Sequence, residues 1–105
     1  MRMWMVNPKI LCRQHLLGEH KELHMIAGCM KRNKNIDGFV KNGLIDTSKV
    51  MSRHVEIVAE MQARGYNHHS PIEHQLPDKY LHRGSVSVEK SKADLIARCS
   101  NCKFH

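Results

Sequence analysis

The residues with most chemistry to offer gather in His15-Leu16-Leu17-Gly18-Glu19-His20-Lys21-Glu22-Leu23, a short way behind the amino end at Met1. On a helix, spacings of four and three bring His15, Glu19 and Glu22 onto one stripe. Leu16, Leu23, Ala27 and Met30 fall on a neighbouring stripe suited to a core. The carboxylates then stand at the edge of buried surface, where burial or a nearby ammonium tunes a carboxyl for acid-base work. An α-amine, ordinarily near a pKa of about 7.7–8.0, is a better nucleophile at neutral pH than a lysine amine at about 10.4. Solvated helix carboxylates share this periodicity, so spacing alone leaves both readings open.

A second set is Cys99-x-x-Cys102, with His105 close behind and His68-His69 elsewhere. Cys99, Cys102 and His105 are candidate zinc ligands, but one such pair without a second is half a pattern, and free thiols are the simpler reading. Cys12 and Cys29 read as small buried residues. The amine and carboxylate chemistry needs no cofactor and no metal.

These groups must be positioned by a single domain, because 105 residues supply one modest core. Only five aromatic residues are available, so the core draws on Leu, Ile, Val and seven methionines, which pack adaptably. The formal charge of +7, with nine histidines able to add more below neutrality, points to a polyanionic partner, nucleic acid before a membrane surface. The basic residues are spread along the chain, and no basic amphipathic segment or lipidation motif occurs. No apolar run is long enough to cross a bilayer, and Met3 to Val6 stops at Asn7-Pro8 before it could serve as a signal peptide. The expected location is the cytoplasm, where thiols stay reduced or bind metal.

Asn7-Pro8 is a cap followed by proline at a first helical position, announcing a short turn before the main helix at 13–30. Gly18 and Gly28 weaken that helix unless another segment approaches closely there. Residues 31–46 read as a connecting loop with a short turn anchored by Phe39 and Val40. A second helix starts near Asp46, Thr47 or Ser48 and ends at Arg64-Gly65, with Val50, His54, Ile57, Val58 and Met61 inward. Pro71 and Pro77 argue for a surface loop from Tyr66 to Gly84. A third helix runs from about Val88 to Arg98, capped by Ser85 or Ser87, with Val88, Leu95, Ile96 and Cys99 inward. The expected fold is all-α: one compact domain over residues 1–105, with three main helices and long irregular connections.

The stretch Arg13-Gln14-His15-Leu16-Leu17-Gly18-Glu19-His20-Lys21-Glu22-Leu23 resembles the main helix of the phage-type pyrimidine-dimer DNA glycosylases. There a Gln-His-Leu run is followed by an acidic, aromatic, basic, Glu-Leu sequence. Ile57-Val58-Ala59-Glu60-Met61-Gln62-Ala63-Arg64-Gly65-Tyr66-Asn67 is similar to the family's Ile-Ala-Glu helix ending in Arg-Gly-Phe-Asn, and Val86 to Arg98 more faintly matches its final helix. The resemblance implies an all-α repair enzyme that removes a base at a cyclobutane pyrimidine dimer and nicks the abasic site. It implies a catalytic pair, the α-amine of Met1 and the carboxylate of Glu22. The best-known members lose the initiator to expose threonine, whereas Arg2 here is too bulky for usual removal, so the implied nucleophile is a retained Met1 amine. The amine attacks C1′ and leaves an iminium link, and Glu22 stabilises positive charge and assists β-elimination.

The implied partner is double-stranded DNA carrying a lesion or abasic site, bound by a monomer without a membrane; a phage-encoded member would work in the host cytoplasm. Arg2, Gln14 and His15 match family positions near the reacting centre. Lys21, Arg32, Lys34, Arg53, Arg64, Lys90, Lys92 and Arg98 are candidate phosphate contacts, although any one such residue is more often a solvated surface charge. The family extrudes a base, which requires kinked DNA. Its Trp- and Tyr-rich tail is replaced here by Cys99-Ser100-Asn101-Cys102-Lys103-Phe104, which puts dimer specificity in doubt; Phe104 or Trp4 could offer a stacking surface instead. The alternatives are a non-catalytic DNA-binding module with zinc at the C-terminal pair, or an interaction protein that keeps the scaffold without the chemistry.

Overall fold

Apolar residues recurring at three and four positions, with no proline or β-branched run to interrupt them, carry the longest helix, α1, over Arg13–Lys31. The computed structural model describes residues 1–67, 72 and 83–102. Within them α2 covers Asp37–Lys41, α3 Val50–Ala63 and α4 Val88–Arg98, and no strand occurs among the described residues. The all-α expectation holds. The segment anticipated as a loop with an anchored turn contains α2, whose Phe39 and Val40 are half-buried against the core.

The core is built from the predicted stripe of α1. Leu16, Leu23, Ala27 and Met30 are fully buried, joined by Ile26. Each such leucine contributes about 1.5–3 kcal/mol relative to exposure. α3 is the principal helix packed on α1, through Val50, His54, Ile57 and Met61. It is entered through a 3-10 turn, Thr47–Lys49, capped by the Asp46 carboxylate, which accepts from the Ser48 amide at 3.1 Å. It ends where Gly65 takes φ +82, so that the amides of Gly65 and Tyr66 reach back to the carbonyls of Gln62 and Met61.

The chain start is a buried arm. Met3, Trp4 and Val6 are buried, and the Met3 amide donates to the Leu44 carbonyl at 2.7 Å. Met5, between them, sits at φ +60, a conformation that a non-glycine residue holds only when its neighbours fix it. Asn7 accepts from the Lys9 amide and starts the expected short turn, Pro8–Ile10. On the other flank, Gly84 runs so close to the Ile45 carbonyl that a Cβ would stand 2.2 Å from its oxygen, and Arg83 exchanges hydrogen bonds with Thr47 beside it.

α4 is capped by Ser87, whose hydroxyl accepts from the Lys90 amide. Its inward face differs from the expectation. Leu95 is buried with Ser91, whereas Val88 and Ile96 are 43% and 56% exposed. Residues 91 and 95 lie one above the other on the face that meets the core; Ile96 is rotated about 100° away, and Val88 stands at the outer end. The loop expected across 66–84 lies largely outside the described residues, as do His68, His69, Phe104 and His105.

Candidate active site

Along one side of α1 a hollow of about 480 Å³ opens, walled by Gln14, His15, Gly18, Glu19, Lys21, Glu22 and Met25, with Arg2 and Trp4 from the amino-terminal arm and Arg98 from the end of α4. Glu22 is half-buried there. Burial raises its carboxyl above the ordinary value, opposed chiefly by the charge of the chain's amino terminus; the neighbouring Glu19 raises it further, while the backbone amide and side-chain charge of Arg2 lower it. The amino-terminal charge and the Arg2 amide therefore both lie near enough to act on this carboxyl.

Arg2 holds this corner in shape. Its guanidinium carbon stands 3.8 Å from the centroid of the Trp4 ring, within cation–π range, and its terminal nitrogens are 3.4 Å from the Asp94 carboxylate on α4. Arg2 Nε is buried without a protein acceptor among the described residues.

Glu19, expected on the same stripe as Glu22, is instead fully buried. Both of its oxygens accept from Arg53, at 2.6 Å from Nε and 2.9 Å from Nη2, a fork-to-fork pair inside the core. Arg53 Nη1 reaches on to the Val6 carbonyl at 2.7 Å. One buried guanidinium thereby ties α1, α3 and the amino-terminal arm. Sequence reasoning missed this pair; its one trace was an arginine beside His54 and Ile57 on the inward side of α3.

Of the candidate DNA contacts, Arg2, Gln14, His15, Lys21 and Arg98 meet around Glu22. Lys90 lines a second hollow on the other side of Arg2, and Arg32, Lys34 and Lys92 are exposed away from Glu22's hollow. Arg53 is a correction: at 1% exposure, with its donors committed to Glu19 and Val6, it has no surface to offer a phosphate. Arg64 is also engaged, donating to Glu60 and to the carbonyls of Pro8 and Leu11, so it fastens the first turn to α3.

Two further clusters border this region. Cys12 and His15 at the start of α1 meet Cys99 and Cys102 beyond α4, and their four donor atoms lie within 4.8 Å of one another. All four cysteines of the chain are free thiols. Cys12 is therefore not the isolated small residue expected. The second cluster is His20, His24 and His54, whose ring centroids are 4.7–5.2 Å apart at the α1–α3 contact.

No helix among the described residues is long and apolar enough to cross a membrane. A search of curated proteins and a search of solved structures both gave no match. A family model described as pyrimidine dimer DNA glycosylase matches residues 1–74, which includes the arm, α1, α2 and α3 and ends before α4. With the greater part of its length matched by that model, the chain belongs to the pyrimidine dimer DNA glycosylase family.

Proposed function

We propose that the protein is a DNA glycosylase with abasic-site lyase activity, acting on duplex DNA that carries a pyrimidine dimer or an abasic site through the α-amine of Met1. The observation that carries the reading is the closeness of the chain's amino terminus to Glu22, whose carboxyl feels that charge and the Arg2 amide at the wall of a cationic hollow.

The neutral amine attacks C1′ of an extruded nucleotide, a C–N bond forms, and the bond from C1′ to the base breaks, the base leaving with a proton. Opening of the sugar ring, with a proton from solvent water passing to the ring oxygen and the remaining N–H kept, gives an iminium. Glu22, ionised, stabilises the positive charge at C1′ and N. A proton then leaves C2′, the electron pair forms a C2′–C3′ double bond, and the 3′ phosphate departs. Water hydrolyses the iminium and restores the amine. Arg2, Lys21 and Arg98 supply the charge that holds the phosphates on either side, and Gln14 offers an amide to the substrate; Trp4, buried with the Arg2 guanidinium over its ring, braces Arg2 and leaves no stacking surface.

A second reading, a DNA-binding module without catalysis, draws on the thiol and imidazole cluster at the rim of the hollow. Borohydride reduction of the protein mixed with abasic-site duplex separates the two. The enzyme reading expects a covalent protein–DNA adduct with the native chain and its loss after acetylation of the amino terminus. Unaltered DNA binding with no adduct from either form would favour the module.

A further inference from the structure

We infer that Cys12, His15, Cys99 and Cys102 form a tetrahedral zinc site that clasps the start of α1 to the end of α4. The inference stands apart from the repair reading, since none of its observations concerns Met1 or Glu22.

The spacing of the donors is that of a metal shell. Cys12 Sγ is 3.8 Å from Cys99 Sγ, and His15 Nδ1 is 3.2 Å from Cys12 Sγ and 3.6 Å from Cys102 Sγ. Zinc–sulfur bonds of about 2.3 Å and zinc–nitrogen bonds of about 2.0–2.1 Å, at tetrahedral angles, give edges of about 3.8 Å between sulfurs and about 3.6 Å between sulfur and nitrogen. The chain pattern fits as well: Cys12-x-x-His15 and Cys99-x-x-Cys102 are two pairs of equal spacing, so the half pattern at the tail has its other half near the amino end.

A backbone donor reaches one of the sulfurs: the Cys12 amide donates to Cys102 Sγ at 3.2 Å. Cys12 occupies the N-cap of α1, where the helix dipole favours negative charge, and its side chain makes no cap bond. Zinc takes three thiolates and a neutral imidazole in one closed shell, as structural sites do.

The metal would act on the hollow by position. The His15 ring stands edge-on to Trp4 at 5.7 Å, and Arg98 immediately precedes Cys99, so ligation fixes both walls beside Glu22. Ligation through Nδ1 also places the remaining imidazole proton on Nε2, which keeps His15 a hydrogen-bond donor. Cys99 and Cys102 lie beyond the residues matched by the family model, so the clasp joins the family's portion to the carboxy-terminal part of the chain.

The test is the metal content of the full chain, purified from cells supplied with zinc, by elemental analysis, and the visible spectrum after exchange with cobalt. The expected result is one equivalent of zinc and the intense bands of tetrahedral, thiolate-bound cobalt. Cys29→Ser, outside the cluster, keeps the metal, whereas Cys12→Ser and Cys99→Ser each lower zinc affinity at least tenfold. Absence of metal from the wild-type chain would overturn the inference, as would an intact mass two hydrogens lighter, marking a disulfide. Zinc that survives both cysteine substitutions but leaves with His24→Gln would assign the metal to the histidine cluster instead, which also overturns it. Because the first measurement is made on the unaltered protein, a variant that fails to fold leaves the test intact.

Discussion

Glu19 and Glu22 sit less than one turn apart on the same helix and both border the hollow, yet one is fully buried and the other half-exposed. Glu19 meets the fork of Arg53 and has no exposed surface. Glu22 stands half-buried at the edge of solvent, near enough to the chain's own amino terminus to feel its charge, with its carboxyl raised by burial. The difference is set by what each finds across from it. A guanidinium with matched geometry makes a carboxylate structural, whereas partial burial beside an ammonium keeps one available for chemistry. The interior pair also serves the hollow, because Arg53 holds Val6 and so the arm that carries Met1.

The comparison is broken most severely from the interior side. Arg53→Ala leaves Glu19 buried without its partner and the Val6 carbonyl without its donor, and the expected loss is about 3–5 kcal/mol, a large share of the stability of a domain this small. Denaturant unfolding measures it; a loss below about 1 kcal/mol would mean the pair is dispensable.

On the other side the expected pattern reverses. Glu22→Gln should lower abasic-site nicking by about a hundredfold or more while leaving the fold intact. Because burial raises the folded-state pKa, the Glu22 contribution to stability is present below its ordinary value of 4.5 and is lost as pH rises through the folded value. At neutral pH the glutamine variant is therefore expected to melt at the same temperature or slightly higher. The same shift puts the acid limb of nicking activity above pH 4.5, where a profile of rate against pH finds it.

The smallest effect is expected at Gly18, which lines the hollow one turn before Glu22 and has nothing within 4 Å of where a Cβ would stand. Gly18→Ala should stabilise the helix by about 0.5–1 kcal/mol, read as a rise in melting temperature. If the hollow receives a nucleotide, the same methyl group weakens DNA binding.

Local patterns made much of the fold legible. The apolar stripe of α1, the Ser87 cap and the stop at Gly65 are each written within a few residues, and the structure agrees with them. What was not legible depends on residues far apart in the chain. Nothing near Glu19 announces that Arg53 will face it, and an arginine on an amphipathic helix reads as surface until its partner is known. Val88 and Ile96 were misread because one thin stripe suffices to dock α4, leaving ordinary apolar residues outside. Cys12 was misread for the opposite reason: its spacing to His15 repeats that of Cys99 to Cys102, but the pairs are separated by most of the chain. Glu22 was singled out by family resemblance, since helical spacing gave it no priority over Glu19.

The most direct measurement is to trap the intermediate with borohydride on abasic-site duplex, digest the adduct and locate the modified residue by mass spectrometry. The expected result is a sugar remnant on the α-nitrogen of Met1 and none on any lysine. A remnant on Lys21, or on any other side chain with the α-amine unmodified, would contradict a mechanism built on the meeting of the amino terminus with Glu22.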